Sequence, residues 1–505
     1  MNAKRSFYNV FFGLLSQVIT IAMGIIIPRL VITNLGSEAN GLLSSVSQAL
    51  VYLGLLEAGI GTATLQALYR PVANNNHDEI NAVLAATNRY YRRVGSYYFL
   101  AVLALAGLYP LIIHSTLDPI TIFLVILFSG MSQVINFFFQ GKYRILMQAE
   151  GKTYILTNLA TITNVCTSIL KIILLLCGCN VAVLQGMYFA FSLLQMVYIC
   201  VYIRRKYEWI DLSVEPDSES LSQRNAVLVH QISGLIFSNT DVLLLTYFIG
   251  LKTVSVYSMY VMLFGMVSSI ITTVNGGFSF ALGQAYKTDR TKFMKMYNAF
   301  ESYNMALTFS LFCVAGAFIL PFLKLYTDGV GDISYIDAYL PYLFIATYLL
   351  SNGRSAAQRV IEYAGHFKLT QNRSILESII NIVVSVFAVN RFGIYGVLFG
   401  TIAALFYRSN DMILYSSKHL LKRTAWVTYR KWITNLALFI GFSFGLHALL
   451  DIVSLDSYLS VIFWAGVVCV VVIPAFFAVA SLNDPASYRY AIGFIRAKIT
   501  SFFRR

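Results

Sequence analysis

The chain has 505 residues, of which 58% are apolar and 12% are charged, against roughly 25% charged residues in soluble domains. Its net charge is +14. This composition excludes an ordinary soluble domain. Because the basic residues lie in short segments between apolar blocks, where they favour anionic lipid headgroups, we expect membrane lipids and no nucleic acid as partners.

Apolar blocks of at least 18 residues recur along the chain, long enough to span a bilayer core of about 30 Å. In hydrocarbon every backbone amide must be bonded within its own segment, so these blocks are predicted to be helices. The predicted fold is an all-α polytopic membrane protein. Its fourteen predicted spans lie near residues 8–32, 42–69, 95–115, 119–140, 153–176, 180–203, 227–249, 254–282, 300–323, 338–360, 370–390, 394–416, 433–450 and 458–481.

A shift of 214 residues places the first half of the sequence on the second. Leu35-Gly36 then falls on Ile249-Gly250, and the apolar segments coincide. A period this long indicates two homologous halves of a transporter rather than a solenoid. Six helices per half make the repeat parallel. We predict an N-lobe (1–207), a cytoplasmic linker (208–226), a C-lobe (227–424), and two further helices with a cytoplasmic tail (425–505).

The basic residues predict the orientation of the helices. Most Lys and Arg residues fall at the two termini and in the even-numbered loops, which places both termini in the cytoplasm. The first apolar block is longer than the core of a signal peptide, so we expect it to remain as a helix. Residues 71–94 are predicted to form an amphipathic helix on the inner leaflet, because tyrosines and arginines adjoin near its end.

The six cysteines all fall in or at the ends of apolar segments, where we interpret them as packing residues. Cys177 and Cys179 are close together, but no histidine or second pair accompanies them. We therefore predict no metal site and no other cofactor. Gly54 in the second span and Gly276-Gly277 in the eighth predict close helix approach or bending.

Ionisable residues within the spans are the candidate functional residues, because a charge near the bilayer centre costs about 2.5–3.5 kcal/mol. The candidates are Glu57, Asp241, Arg29, Arg354 and the pair Arg408/Asp411. Three alternatives stay open at this level. Arg29 either snorkels to the interface or faces a cavity. Arg408 and Asp411 either neutralise each other or line a path. Asp241 and Glu57 have no basic residue nearby in sequence, so burial would disfavour the ion and suit them to proton coupling.

Two stretches resemble a known family. Pro28-Arg29-Leu30 through Gly41-Leu42, followed by Leu56-Glu57-Ala58-Gly59, is similar to the first two helices of bacterial polysaccharide flippases of the Wzx type. Asn239-Thr240-Asp241, Phe248-Ile249-Gly250 and Val254-x-x-Tyr257 are similar to a later part of the same family. These flippases belong to the multidrug/oligosaccharidyl-lipid/polysaccharide exporter superfamily.

The resemblance implies a non-enzymatic, monomeric protein of the bacterial cytoplasmic membrane. Its cargo would be a polyprenyl-pyrophosphate-linked oligosaccharide, translocated by alternating access for surface polysaccharide synthesis. Arg29, Arg354 and Arg408 are then the substrate-path candidates, and Asp241 and Glu57 the coupling candidates. The alternatives are a cation or drug antiporter of the MATE type and a lipid II flippase, whose branch typically has arginine in the eighth helix, where this chain has none. A glycan polymerase would need an extramembrane catalytic loop, which the short outer loops do not provide.

Overall fold

The computed structural model describes residues 21–57, 60–217, 235, 239–450 and 452–493. These residues form helices, turns and loops, with no strand among them. In chain order the helices are α1 (Ile21–Leu35), α2 (Ser37–Leu53), α3 (Ile60–Ala73), α4 (His77–Ile112), α5 (Pro119–Ile135), α6 (Gly141–Ala149), α7 (Thr153–Leu176), α8 (Val181–Lys206), α9 (239–248), α10 (Leu251–Thr288), α11 (Arg290–Tyr326), α12 (Leu340–Gly353), α13 (Ser355–Ala364), α14 (Phe367–Phe392), α15 (Ile394–Tyr415), α16 (Trp426–Leu450), α17 (Tyr458–Asn483) and α18 (485–493).

Ten helical segments in the described part of the chain are long and apolar enough to cross a membrane. Large apolar side chains project from them, among them Leu111 and Phe387, each 80% exposed. Exposed apolar surface of this kind suits contact with lipid. The prediction of an all-α, multi-pass membrane protein is confirmed. The count of fourteen spans stays a prediction, since residues 8–20 of the first span and 227–234 of the seventh lie outside the described residues.

The longer helices begin at residues that suit a helix N-terminus. The Asn76 side chain accepts a hydrogen bond from the Glu79 amide at the start of α4, and Asp289 accepts from the Lys292 amide at the start of α11. Such side chains satisfy amides that have no partner within the helix. At the other end of α8, three basic residues lie in the last turn, where positive charge is favoured by the helix dipole.

The backbone repeats with the period that the sequence predicts. α2 begins at Ser37 and α10 at Leu251, 214 residues later, and α7 and α14 begin at 153 and 367. Gly36 and Gly250, which precede α2 and α10, both have positive φ angles of 84° and 121°. Side chains with a Cβ rarely adopt such angles. Leu35-Gly36 and Ile249-Gly250 therefore align in the sequence because both halves make the same turn at these residues.

The structure differs from the sequence prediction at two places. The second span is interrupted by a 3-10 turn at Gly54–Glu57, whereas α10 is helical at residues 268–271, which the shift of 214 residues places on that turn. The prediction of a separate amphipathic helix at 71–94 is wrong. Residues from His77 onward form the first half of α4, and Ile80 and Tyr91 are buried within the protein. The segment has one apolar face and one polar face, as predicted, but the apolar face packs on protein rather than on lipid.

The chain divides into two compact units, Met1–Ser258 with Gly329–Ile333, and Met259–Asp328 with Ser334–Arg505. In the first unit, α3, α4, α6 and α8 pack around buried tyrosines and phenylalanines such as Tyr98 and Phe137. In the second, the rings of Phe264, Phe312 and Phe344 form an aromatic core. Stacked and edge contacts between such rings fix the packing of neighbouring helices.

The first part of the predicted linker, 208–217, is held against the start of α4. The Trp209 ring stacks on His77 with 3.9 Å between centroids, and the Asn81 side chain donates to the Trp209 carbonyl. Further along, the Asp217 amide donates to the Ala82 carbonyl. Residues 218–226 lie outside the described residues, as do 494–505 of the predicted tail.

Candidate functional site

Two of the predicted arginines meet in the second unit at a carboxylate that the sequence did not single out. Arg354 lies at the junction of α12 and α13, and its Nη1 is 2.6 Å from Glu377 Oε1 on α14. Arg408 on α15 places its Nε 3.6 Å from Glu377 Oε2. The Arg408 and Glu377 side chains are only 3% and 9% exposed. A buried carboxylate therefore links the two arginines.

The network continues along α15 towards the exposed side of α14. Arg408 Nη1 lies 2.6 Å from Asp411 Oδ2, so these charges do pair, and Arg373 Nη1 lies 2.5 Å from Asp411 Oδ1. Arg408 Nη2 also donates to the Ser374 hydroxyl. Among the described residues, the network joins three guanidinium groups and two carboxylates. Guanidinium groups are well suited to bind anionic oxygens.

Asp241 lies in the first unit and is 5% exposed. Its Oδ2 accepts a hydrogen bond from the Tyr257 hydroxyl of α10 at 2.9 Å. One residue earlier, the Thr240 hydroxyl is 2.7 Å from the Tyr52 hydroxyl of α2. Ser45 and Thr246 add a further hydroxyl pair between α2 and α9 at 2.6 Å. Asp241 therefore belongs to a line of polar contacts that joins α2, α9 and α10.

Glu57, at the end of the 3-10 turn, is held by two other helices of the first unit. Its Oε1 accepts from the Tyr91 hydroxyl at 2.7 Å, and its Oε2 accepts from Gln133 Nε2 at 3.2 Å. The carboxylate lines a cavity of about 420 Å³, together with Arg144 of α6. No cation near Glu57 was predicted from the sequence, because Arg144 is distant from Glu57 along the chain.

The remaining path candidate, Arg29, is half-buried in α1 of the first unit. The five predicted groups thus fall into distinct settings. Arg354 and Arg408 share one network, while Glu57 and Asp241 belong to two different polar groups within the first unit. Their roles in transport stay predictions.

A second buried ion cluster was missed by the sequence analysis. Glu301 of α11, 1% exposed, binds Arg423 Nη2 at 2.6 Å and Lys431 Nζ at 2.8 Å. Lys431, on α16, also lies 3.7 Å from Asp484. Burial raises the pKa of Asp484, but hydrogen bonds from the Ser487 hydroxyl and amide, together with Lys431, bring it below the usual range. The signal in the sequence is the position of Glu301 at the edge of the predicted span 300–323. In the structure, Glu301 binds α16 to α11 through Lys431.

Comparison with known proteins places this fold among membrane transporters. No family model and no curated protein matches the sequence. The structure is similar to that of the lipid II flippase MurJ in an inward closed conformation, with a TM-score of 0.72 over 94% of this chain and 99% of that chain, at 12% identity. It is also similar to the inward-facing and outward-facing conformations of a multidrug resistance MATE family transporter of the MOP superfamily. Those TM-scores are 0.59 and 0.51 at 15% identity, over 79% and 80% of this chain and 94% and 95% of those chains.

Identities this low show the fold alone. The chain therefore has the helical, multi-pass fold that the lipid II flippase and the MATE transporter share. One of these proteins is a flippase and the other is a transporter.

Proposed function

We propose that this protein is a flippase of the MOP superfamily that translocates polyprenyl-pyrophosphate-linked oligosaccharides across the bacterial cytoplasmic membrane for surface polysaccharide synthesis. The observation that favours this function most is the extent of the fold match. The lipid II flippase fold extends over 94% of the chain, whereas the MATE folds extend over 79–80%. A flippase of a lipid-linked glycan is thus the nearer of the two fold relatives.

The chemistry of the cargo agrees with the charges of the second unit. Sugars cannot cross hydrocarbon without partners for their hydroxyl groups, and a pyrophosphate binds best to arginine forks. Arg354, Arg373 and Arg408 supply three such guanidinium groups within one network. Arg29 is the corresponding candidate in the first unit. Membrane lipids are the second partner, and we expect a monomer with both termini in the cytoplasm.

Alternating access requires a group whose ligand affinity differs between the two states, because only differential binding biases the equilibrium. Asp241 and Glu57 are the candidates, since each is a carboxylate that accepts a hydrogen bond from a tyrosine hydroxyl. We propose proton coupling at Asp241 first. These same two acids are the observation that favours the alternative, a MATE-type antiporter that exchanges a cation or drug.

The test is transport by the purified full chain in proteoliposomes containing a fluorescent polyprenyl-pyrophosphate-linked oligosaccharide. We expect protein-dependent movement of the label between leaflets, as measured by its loss of accessibility to a quencher. Lipid II and a cationic dye serve as competing cargoes in parallel vesicles. Transport of lipid II alone would establish the lipid II flippase, and extrusion of the dye without flipping would establish the antiporter. Either result would contradict the proposed cargo.

A substitution series tests the arginine path. We expect Arg29→Ala combined with Arg354→Ala to abolish rescue of a strain that lacks its oligosaccharide flippase, while the protein is still found in the membrane. The matching Arg→Lys changes should be milder, because charge is kept while the planar fork is lost. Normal surface polysaccharide in the double alanine variant would remove the arginine path from the proposal.

A further inference from the structure

The cavity beside Glu57 lies entirely within the first unit, between α3, α4 and the segment that joins α5 to α6. It measures about 420 Å³ and is lined by Glu57, Gly61, Asn136, Arg144 and Gln148, among other residues. Volumes of roughly 300–1,000 Å³ are typical of pockets for small ligands. Its polar lining is unusual for a helix bundle in lipid, where small and apolar residues normally fill such spaces.

Arg144 is the most informative member of this lining. It is half-buried, yet it forms no hydrogen bond and no ion pair within 4.0 Å with any residue that the structure describes. Glu57 is close enough to act on Arg144 through its charge, but both Glu57 oxygens are bonded to Tyr91 and Gln133 instead. The guanidinium donors of Arg144 therefore remain available to a ligand with anionic or carbonyl oxygens.

A second polar group of the lining also lacks its partner. Asn136 Oδ1 is buried and accepts no hydrogen bond from the described residues. Asn136 begins the π-helical turn Asn136–Gln140 that joins α5 to α6, and such turns occur often at functional sites. The cavity thus offers donors at Arg144, an acceptor at Asn136, and the remaining lone pairs of the Glu57 carboxylate, which has about four in all.

From these groups we infer that the cavity binds a sugar with one anionic group, either a phosphorylated sugar or a uronic acid. Arg144 donates to the anionic oxygens, and Glu57 and Asn136 accept from the sugar hydroxyls. Inorganic phosphate lacks the sugar ring whose hydroxyls would reach Glu57 and Asn136 while an anionic oxygen contacts Arg144, so it binds less well. This inference rests on the proposed function, since such a sugar is the part of a lipid-linked oligosaccharide that needs a polar site.

The test measures the thermal unfolding midpoint of the purified full chain against increasing concentrations of four probes. Glucose 1-phosphate, glucuronic acid, glucose and inorganic phosphate separate the sugar from the anion, and the first two separate the two sources of charge. We expect one or both charged sugars to raise the midpoint at lower concentration than glucose or phosphate. A response to phosphate equal to that for glucose 1-phosphate, or no response to either charged sugar, would overturn the inference.

Substitutions then assign the response to the cavity. We expect Arg144→Gln to weaken binding by about ten-fold or more, because a hydrogen bond to a charged group is lost. Arg144→Lys should weaken it less. The matched control is Arg204→Gln, which removes an exposed positive charge on α8 and should leave binding unchanged. Equal loss in Arg144→Gln and Arg204→Gln would show a general charge effect and would count against the site.

Two glycine substitutions, one at the cavity and one away from it, provide an independent measurement. A Cβ at Gly61 would lie 3.9 Å from the Tyr91 hydroxyl, so a leucine there would extend into the cavity, whereas a Cβ at Gly107 on the exposed side of α4 meets no described atom within 4 Å. We expect Gly61→Leu to abolish binding and Gly107→Leu to preserve it. Binding that survives in Gly61→Leu would overturn the location.

Transport by the same variants separates this inference from the proposed function. If the wild-type protein binds a charged sugar but flips no lipid-linked oligosaccharide, the proposed function fails while the binding site stands. If the wild-type protein flips its cargo and Arg144→Gln flips it equally fast, the function stands and the site has no part in it. We expect slower flipping in Arg144→Gln together with weaker binding.

Discussion

Among individual residues, Arg408 joins the two carboxylates of its network in the second unit. It binds both carboxylates of the network, Glu377 and Asp411, and each carboxylate binds one further arginine. Buried ion pairs of this kind are expensive to break, because removing one partner leaves the other charged and desolvated. An exposed pair is worth much less.

Removing Arg408 should therefore destabilise the protein far more than removing Arg373, whose side chain is 37% exposed. We expect Arg408→Ala to lower the free energy of unfolding by about 3 kcal/mol or more, and Arg373→Ala by about 1 kcal/mol or less. Thermal unfolding midpoints of the purified variants in one detergent provide the comparison. Similar midpoints for the two variants would show that the network is not held together at Arg408.

Asp241 is the residue at which energy coupling can be examined most directly. We expect Asp241→Asn to slow transport more than Asp241→Glu and to weaken its dependence on a proton gradient, because the amide cannot bind and release a proton. Tyr257→Phe is the matched control, since it removes the hydrogen bond to the carboxylate and keeps the acid. Transport by Asp241→Asn that is equally fast and equally sensitive to a collapsed gradient would exclude this residue.

Among the helices, the repeat is most visible at the residues where corresponding helices of the two halves begin. Gly250 precedes α10 with φ of 121°, and a Cβ there would meet no described atom within 4 Å. A substitution at this position therefore tests the backbone angle alone. Gly107, in the middle of α4, is the opposite case, because it is helical and equally open.

Gly250→Ala should destabilise the protein by about 1–2 kcal/mol, as expected for a side chain forced to positive φ. Gly107→Ala should have no effect or should stabilise by about 0.5–1 kcal/mol, because alanine loses less entropy than glycine in a helix. Unfolding midpoints again report the difference. A tolerated Gly250→Ala would mean that the turn before α10 can change its geometry.

The helices show how far the sequence could predict this protein. The hydropathy of a segment indicates its preference for lipid, regardless of which helices pack beside it. The apolar spans and their repeat could therefore be predicted from the sequence. The break at Gly54–Glu57 was not, because glycine is also present, at Gly276-Gly277, within an unbroken helix. The partners of the charges were not predictable either. Glu377 meets Arg408, and Arg144 comes near Glu57, only after separate helices pack together.

For the whole molecule, the distribution of basic residues predicts the side of the membrane on which each loop lies. A reporter that is active only in the cytoplasm should be active when fused after Arg205, at the end of α8. The same reporter fused after Asp328, in the loop that follows α11, should be inactive, while a reporter of the outer side should be active there. Cytoplasmic activity at Asp328 would contradict the fourteen-helix arrangement.

One contact bears on whether the two halves of the repeat are independent pieces. Asp332, which belongs to the first compact unit, accepts hydrogen bonds from the amide and hydroxyl of Ser37 at the start of α2. The acid that caps this helix is therefore encoded 295 residues away, after α10 and α11. A fragment that ends before Asp332 would lack that cap, so the start of α2 depends on a loop from the second half of the sequence.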